Sequence, residues 1–169
     1  GKFISIASNL KATLEAQGKD MASVEVVDLG GKLVCPPFCD THLHLDYVFT
    51  ARKPGAVNES GTLFEGIQRW SETKADLTVD EIKERAKIGI AKEMRHGVQF
   101  IRSHADVTDP NLTSLKALLE LKEELKDTVT LQIVSFPQEG MYSYEGPHGE
   151  SGADLVEEGL KMGADCVGG

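Results

Sequence analysis

The strongest constraint on the fold is the alternation of strand-like and helix-like patterning from residue 38 onward. An apolar segment at about 38–44 reads as a strand, and a long loop bearing Gly, Pro and Asn runs from there through residue 61. Thr62 to Lys74 has helical character. Thr78-Val79-Asp80-Glu81 has the form of a capping box, and Ile82, Ala86, Ile90 and Met94 follow at i,i+4 spacing up to Gly97. Val98 to His104 reads as the next strand. Asp109-Pro110 then predicts a helix start, with Asp as N-cap and Pro in the first turn. The core stripe of that helix is Leu112, Leu115, Leu118, Leu119 and Leu125. Val129–Phe136 is a strand, about 151–162 a helix stopped by Gly163, and Ala164–Val167 a last strand.

Alternation of this kind gives parallel strands covered by helices. An open doubly wound sheet and a (β/α)8 barrel both satisfy it. No G-x-G-x-x-G follows any strand, so a dinucleotide-binding sheet lacks its fingerprint. In a barrel, chemistry gathers at the C-terminal strand ends. The polar residues here crowd those ends: His42 and His44, His104 and Asp106, Gln138 and Glu139. A barrel takes roughly 250 residues, so the expected fold is about the first half of one. Residues 36–169 would be its first four β/α units. Residues 1–35 alternate over Lys2–Ile6 and Val24–Leu29, turn at Gly30-Gly31, and read as part of a small β domain of sandwich type. The chain looks truncated at both ends.

Composition excludes several functions. A net charge of −9, with Lys and Arg interleaved among acids, argues against a nucleic-acid partner. No apolar run approaches a membrane span and no leader is visible, which gives an expectation of a cytoplasmic protein without a membrane partner. Cys35, Cys39 and Cys166 have no zinc-type spacing and are expected to be free thiols.

The chemistry centres on Asp40-Thr41-His42-Leu43-His44-Leu45-Asp46. Strand period turns His42 and His44 to one face, where two imidazoles can grip one divalent metal. Such a pair also occurs simply where polar residues leave a strand. With the preceding apolar strand, this run resembles the amidohydrolase superfamily, in which an H-x-H at the end of the first barrel strand ligates a catalytic metal. Glu59-Ser60-Gly61-Thr62-Leu63-Phe64-Glu65-Gly66-Ile67, Arg102-Ser103-His104-Ala105-Asp106-Val107 and Phe136-Pro137-Gln138-Glu139-Gly140 look like the bacterial cytosine deaminase branch of it.

That resemblance implies His42 and His44 as metal ligands and Gln138 and Leu63 as substrate-binding residues. Gln138 suits the role because a carboxamide offers both donor and acceptor to a pyrimidine's amide-like edge. Strand-end capping by Gln138 and ordinary helix packing by Leu63 stay open beside it. His104, Asp106 and Asp46 are candidates for a supporting shell around the histidines, or for a plain buried polar network. The last strand carries no Lys to bridge two metals, so one divalent ion, Fe or Zn, is expected. The resemblance implies hydrolysis of cytosine to uracil and ammonia by water made nucleophilic at the metal. It also implies a homo-oligomer and a general acid/base Glu beyond Gly169, so residues 1–169 alone are expected to be inactive. Related deaminases acting on isocytosine, creatinine or a triazine, and a non-catalytic binding protein keeping the fold, are the alternatives.

Overall fold

The computed structural model describes residues 3–168. Contacts divide the chain into two units, Gly1–Cys35 and Pro36–Gly169. In the first, Asn9 caps a short helix α1 (Leu10–Ala16) and Asp20 caps a 3-10 turn at Met21–Ser23. No strand forms among the described residues of this unit, in contrast to the expected β domain. The segments 2–6 and 24–29 alternate, but an alternating segment becomes a strand only when a neighbouring strand pairs with it, and among the described residues the backbone bonds of this unit are local turn bonds such as Lys32 N–H to the Leu29 carbonyl at 3.2 Å. Lys2, at the start of that pattern, lies outside the described residues, as does Gly169.

The second unit is α/β with a parallel four-stranded sheet. Its elements are β1 (Phe38–Leu43), α2 (Leu63–Lys74), α3 (Val79–Arg95), β2 (Val98–Asp106), α4 (Thr113–Glu124), β3 (Thr130–Phe136), α5 (Gly152–Met162) and β4 (Cys166–Val167). The strands lie in the order β1-β2-β3-β4, all parallel. This sequential order lacks the reversal that defines a doubly wound sheet. Between Asp40, paired with Ile101, and Leu43, paired with Ser103, β1 uses three steps where β2 uses two, which is a bulge.

Local chemistry explains the element ends. Thr78 Oγ1 accepts the Glu81 N–H at 3.3 Å while Glu81 accepts the Thr78 N–H at 3.2 Å, so both halves of the capping box close. Ser151 and Asp154 form a second box, and Gly163, at φ 116°, stops α5 in a conformation that a side chain would strain. One start differs from expectation. The Asp109 carboxylate accepts the N–H groups of Asn111 and Thr113, at 3.0 and 2.9 Å. This folds 109–112 into a turn, puts Leu112 at φ 50°, and delays α4 to Thr113.

The core lies between the sheet and α3 and α4. Ile82, Ala86 and Ile90 of α3 and Leu115, Leu118 and Leu121 of α4 are fully or almost fully buried against Ile101, Ala105 and Ile133. Each such leucine or isoleucine contributes about 1.5–3 kcal/mol by leaving water. This packing fixes the sheet and leaves its C-terminal strand ends to carry polar groups.

Candidate active site

His42 is the last residue but one of β1 and His44 directly follows the strand, and the two imidazole centroids lie 5.3 Å apart. His104, near the end of β2, joins them: its ring stacks on His42 at 4.0 Å and lies 5.5 Å from His44. His104 also carries the carbonyl that faces His44 Nδ1 at 3.1 Å. A carbonyl only accepts, so that ring nitrogen holds the proton and Nε2 keeps its lone pair. Burial, with the neighbouring His104 and His42 rings, pushes the His44 pKa down to about 4, which keeps the imidazole neutral near pH 7. Burial also lowers that of His104, followed by His42 and Arg102. A neutral imidazole with its other nitrogen tied to a carbonyl is the form that ligates a metal. The donor set therefore fits one divalent ion at His42 and His44. Among the described residues no group of three or more His, Cys, Asp or Glu side chains is arranged to hold one.

Behind the imidazoles, Asp46 is fully buried and joins the end of β1 to β2. Its carboxylate accepts the Asp106 N–H at 2.9 Å and the Tyr47 N–H at 3.1 Å. Burial pushes it up to about 7, although the Asp106 amide works in the opposite direction. Asp46 Oδ1 is 3.9 Å from His44 Nδ1, too far for a hydrogen bond. Arg85 of α3 donates to the Asp46 and Val48 carbonyls and pins the segment after β1.

Asp106, 1% exposed, is the hub of the strand ends. One carboxylate oxygen accepts Trp70 Nε1 at 2.6 Å and Lys74 Nζ at 3.0 Å. The other accepts Thr108 N–H at 2.8 Å, Thr108 Oγ1 at 2.5 Å and, longer, Gln138 N–H at 3.4 Å.

A cavity of about 630 Å³ opens over these groups, within the roughly 300–1,000 Å³ range of small-ligand sites. His42, His44, Leu63 and Gln138 all line it, with Tyr47, Trp70 and Phe136 among its apolar walls. Leu63, the first residue of α2, is 74% exposed and so is not packed into the helix layer. His104, Asp106 and Asp46 do not line the cavity and touch what does. Arg102, two residues before His104 and on the same face of β2, donates to Gln132 of β3 at 2.6 Å.

Tyr47, Trp70 and Lys74 did not stand out in the sequence. Tyr47 stacks on His44 at 4.4 Å and meets Trp70 at 4.8 Å. The available signal was spacing: the single Trp of the chain and Lys74 are four residues apart, on one face of α2.

The chain belongs to the amidohydrolase family, whose sequence profile matches residues 25–163. Its architecture is similar to 5-methylcytosine deaminase from Klebsiella pneumoniae. Structures of that enzyme with phosphonocytosine and with 5-fluorocytosine each match at a TM-score of 0.77, with 46% and 47% identity, over 88% of this chain and 36% of that one. Among curated proteins, N-isopropylammelide isopropyl amidohydrolase of Pseudomonas sp. (strain ADP) is 34% identical over 95% of this chain and 38% of its own. Pterin deaminase of Rhizobium rhizogenes is 27% identical over 82% of this chain and 32% of its own. The chain thus spans between 32% and 38% of the length of these relatives. No helix among the described residues is long and apolar enough to cross a membrane.

Proposed function

We propose that residues 36–169 are the first four β/α units of a (β/α)8 barrel and carry part of the active site of a hydrolytic deaminase acting on cytosine or a 5-substituted cytosine. The observation that carries this reading is the convergence of His42, His44, Leu63 and Gln138 on one cavity. The sequential strand order supports the barrel, and the Klebsiella deaminase, solved with cytosine analogues, supports the substrate class.

In this reading His42 and His44 hold one divalent ion, Fe or Zn, which when bound supplies Lewis-acid activation of water. Gln138 presents its carboxamide to the amide-like edge of the ring, a contact that discriminates strongly because a wrong ring leaves buried groups unpaired. Leu63, Trp70 and Phe136 bound the ring's apolar surface and exclude water. Tyr47 stacks behind His44, and His104 fixes the His44 tautomer. The general acid/base in this reading is a Glu outside residues 1–169.

The test is product formation by the full-length protein from cytosine, 5-methylcytosine, isocytosine and an N-alkylaminotriazine. Ammonia released from the first two supports the reading. Alkylamine released only from the triazine would favour the chemistry named for the Pseudomonas relative. No product from any of them would sink the proposal. His42→Ala and His44→Ala should each strip the metal, read by elemental analysis.

A further inference from the structure

Lys74 is the last residue of α2, a place where a lysine normally faces water and complements the helix dipole. Here its side chain is 11% exposed. All three ammonium protons have partners: Asp106 Oδ2 at 3.0 Å, Thr108 Oγ1 at 3.0 Å and Glu139 Oε1 at 2.5 Å. Ser71, one turn earlier on the helix, donates to the same Glu139 oxygen at 2.7 Å. These partners sit at the ends of two different strands. Asp106 ends β2, and Glu139 follows β3 directly after Gln138.

The cavity is thus bounded by two elements that this one ammonium ties together. On one side are Leu63 and Trp70 of α2, and Trp70 shares the Asp106 oxygen with Lys74. On the other is Gln138, whose N–H leans on the second Asp106 oxygen while its neighbour Glu139 is held by Lys74. Lys74 itself does not line the cavity. We infer that Lys74 is a positioning residue for heterocycle binding, clamping the Gln138 backbone and the Trp70 ring at a fixed distance across the pocket. This rests on the functional reading above. A charge-assisted contact to two carboxylates suits the task because it is short and directional, and its burial shields it from salt.

The consequence is a split in kinetic constants. Loosening the clamp weakens recognition of the ring without touching the histidines. In the full-length protein, Lys74→Met should raise KM for cytosine about tenfold while kcat stays within about threefold, the pattern of lost uniform binding. Metal content should match wild type. Lys74→Arg, which keeps the charge and several N–H donors, should recover most of the lost KM. Should Lys74→Met fail to fold, Glu139→Gln reports on the same clamp, and its KM should rise in the same direction.

An unchanged KM in folded Lys74→Met, or in Glu139→Gln where that variant is needed, overturns the inference. So does loss of metal in step with loss of activity, which would make Lys74 a general structural residue. A wild-type protein that turns over none of the tested heterocycles defeats the functional reading and this inference with it. Wild-type turnover with no KM effect defeats this inference alone.

Discussion

At Gly159 α5 packs directly on Ser135 of β3, and filling it gives a sharp test of that packing. A Cβ there would lie 2.6 Å from Ser135 Oγ, 3.1 Å from Leu115 Cδ2 and 3.4 Å from Ser135 Cβ. Ser135 is fully buried on β3, and its hydroxyl donates to the Val156 carbonyl of α5 at 3.2 Å. The hydroxyl cannot swing away without breaking that bond. Gly159→Ala gains about 1 kcal/mol of helix propensity. Against it stand about 1–3 kcal/mol of overpacking and about 1 kcal/mol for the lost hydrogen bond. The net expectation is destabilisation by about 2 kcal/mol, read as a lower urea midpoint at unchanged slope. Ser135→Ala removes the obstructing oxygen and leaves contacts of 3.1 and 3.4 Å. The double variant should therefore be more stable than the sum of the single effects by about 1–2 kcal/mol. A Gly159→Ala protein more stable than wild type, or strictly additive effects, would refute this account of the α5–β3 contact.

Two further outcomes follow from the caps and the loop over the cavity. Thr78→Ala opens the capping box of α3 and should cost about 1 kcal/mol in urea unfolding, with Thr78→Ser close to wild type. The Ser60 hydroxyl and the N–H groups of Ser60 and Glu59 hold the Glu65 carboxyl down to about 2 from 4.5. Because the folded value is the lower one, this stabilisation is complete above pH 4.5 and disappears as pH falls towards 2. The amide resonances of Glu59 and Ser60 should shift with a midpoint near the lower value, and a midpoint near 4.5 would show that the loop is not anchored in this way.

What could be read in the sequence was what local chemistry decides. Thr78, Ser151 and Gly163 announce their helix ends because each satisfies or relieves a backbone group within a few residues. The histidine pair was legible because strand period alone puts His42 and His44 together. The α4 start was misread because Asp109 satisfies N–H groups in a turn as readily as at a cap, and only packing of Leu112 and Leu115 decides between them. The segments 2–6 and 24–29 alternate like strands, but pairing is a non-local property that alternation does not encode. Lys74 was hidden for a related reason. In sequence it is one more polar residue closing an amphipathic helix, and its partners are 32 and 65 positions away.

The bulge in β1 makes the direction of the two imidazoles a question of parity. Removing one residue between Asp40 and His42 would leave the His-Leu-His triplet intact. Its phase would invert, sending both rings towards the helical layer and Leu43 into the cavity. A triplet recognised by letters alone is therefore an incomplete signature. The number of residues separating it from the last regular pair of the ladder, Asp40 with Ile101, carries as much chemical meaning as the histidines do.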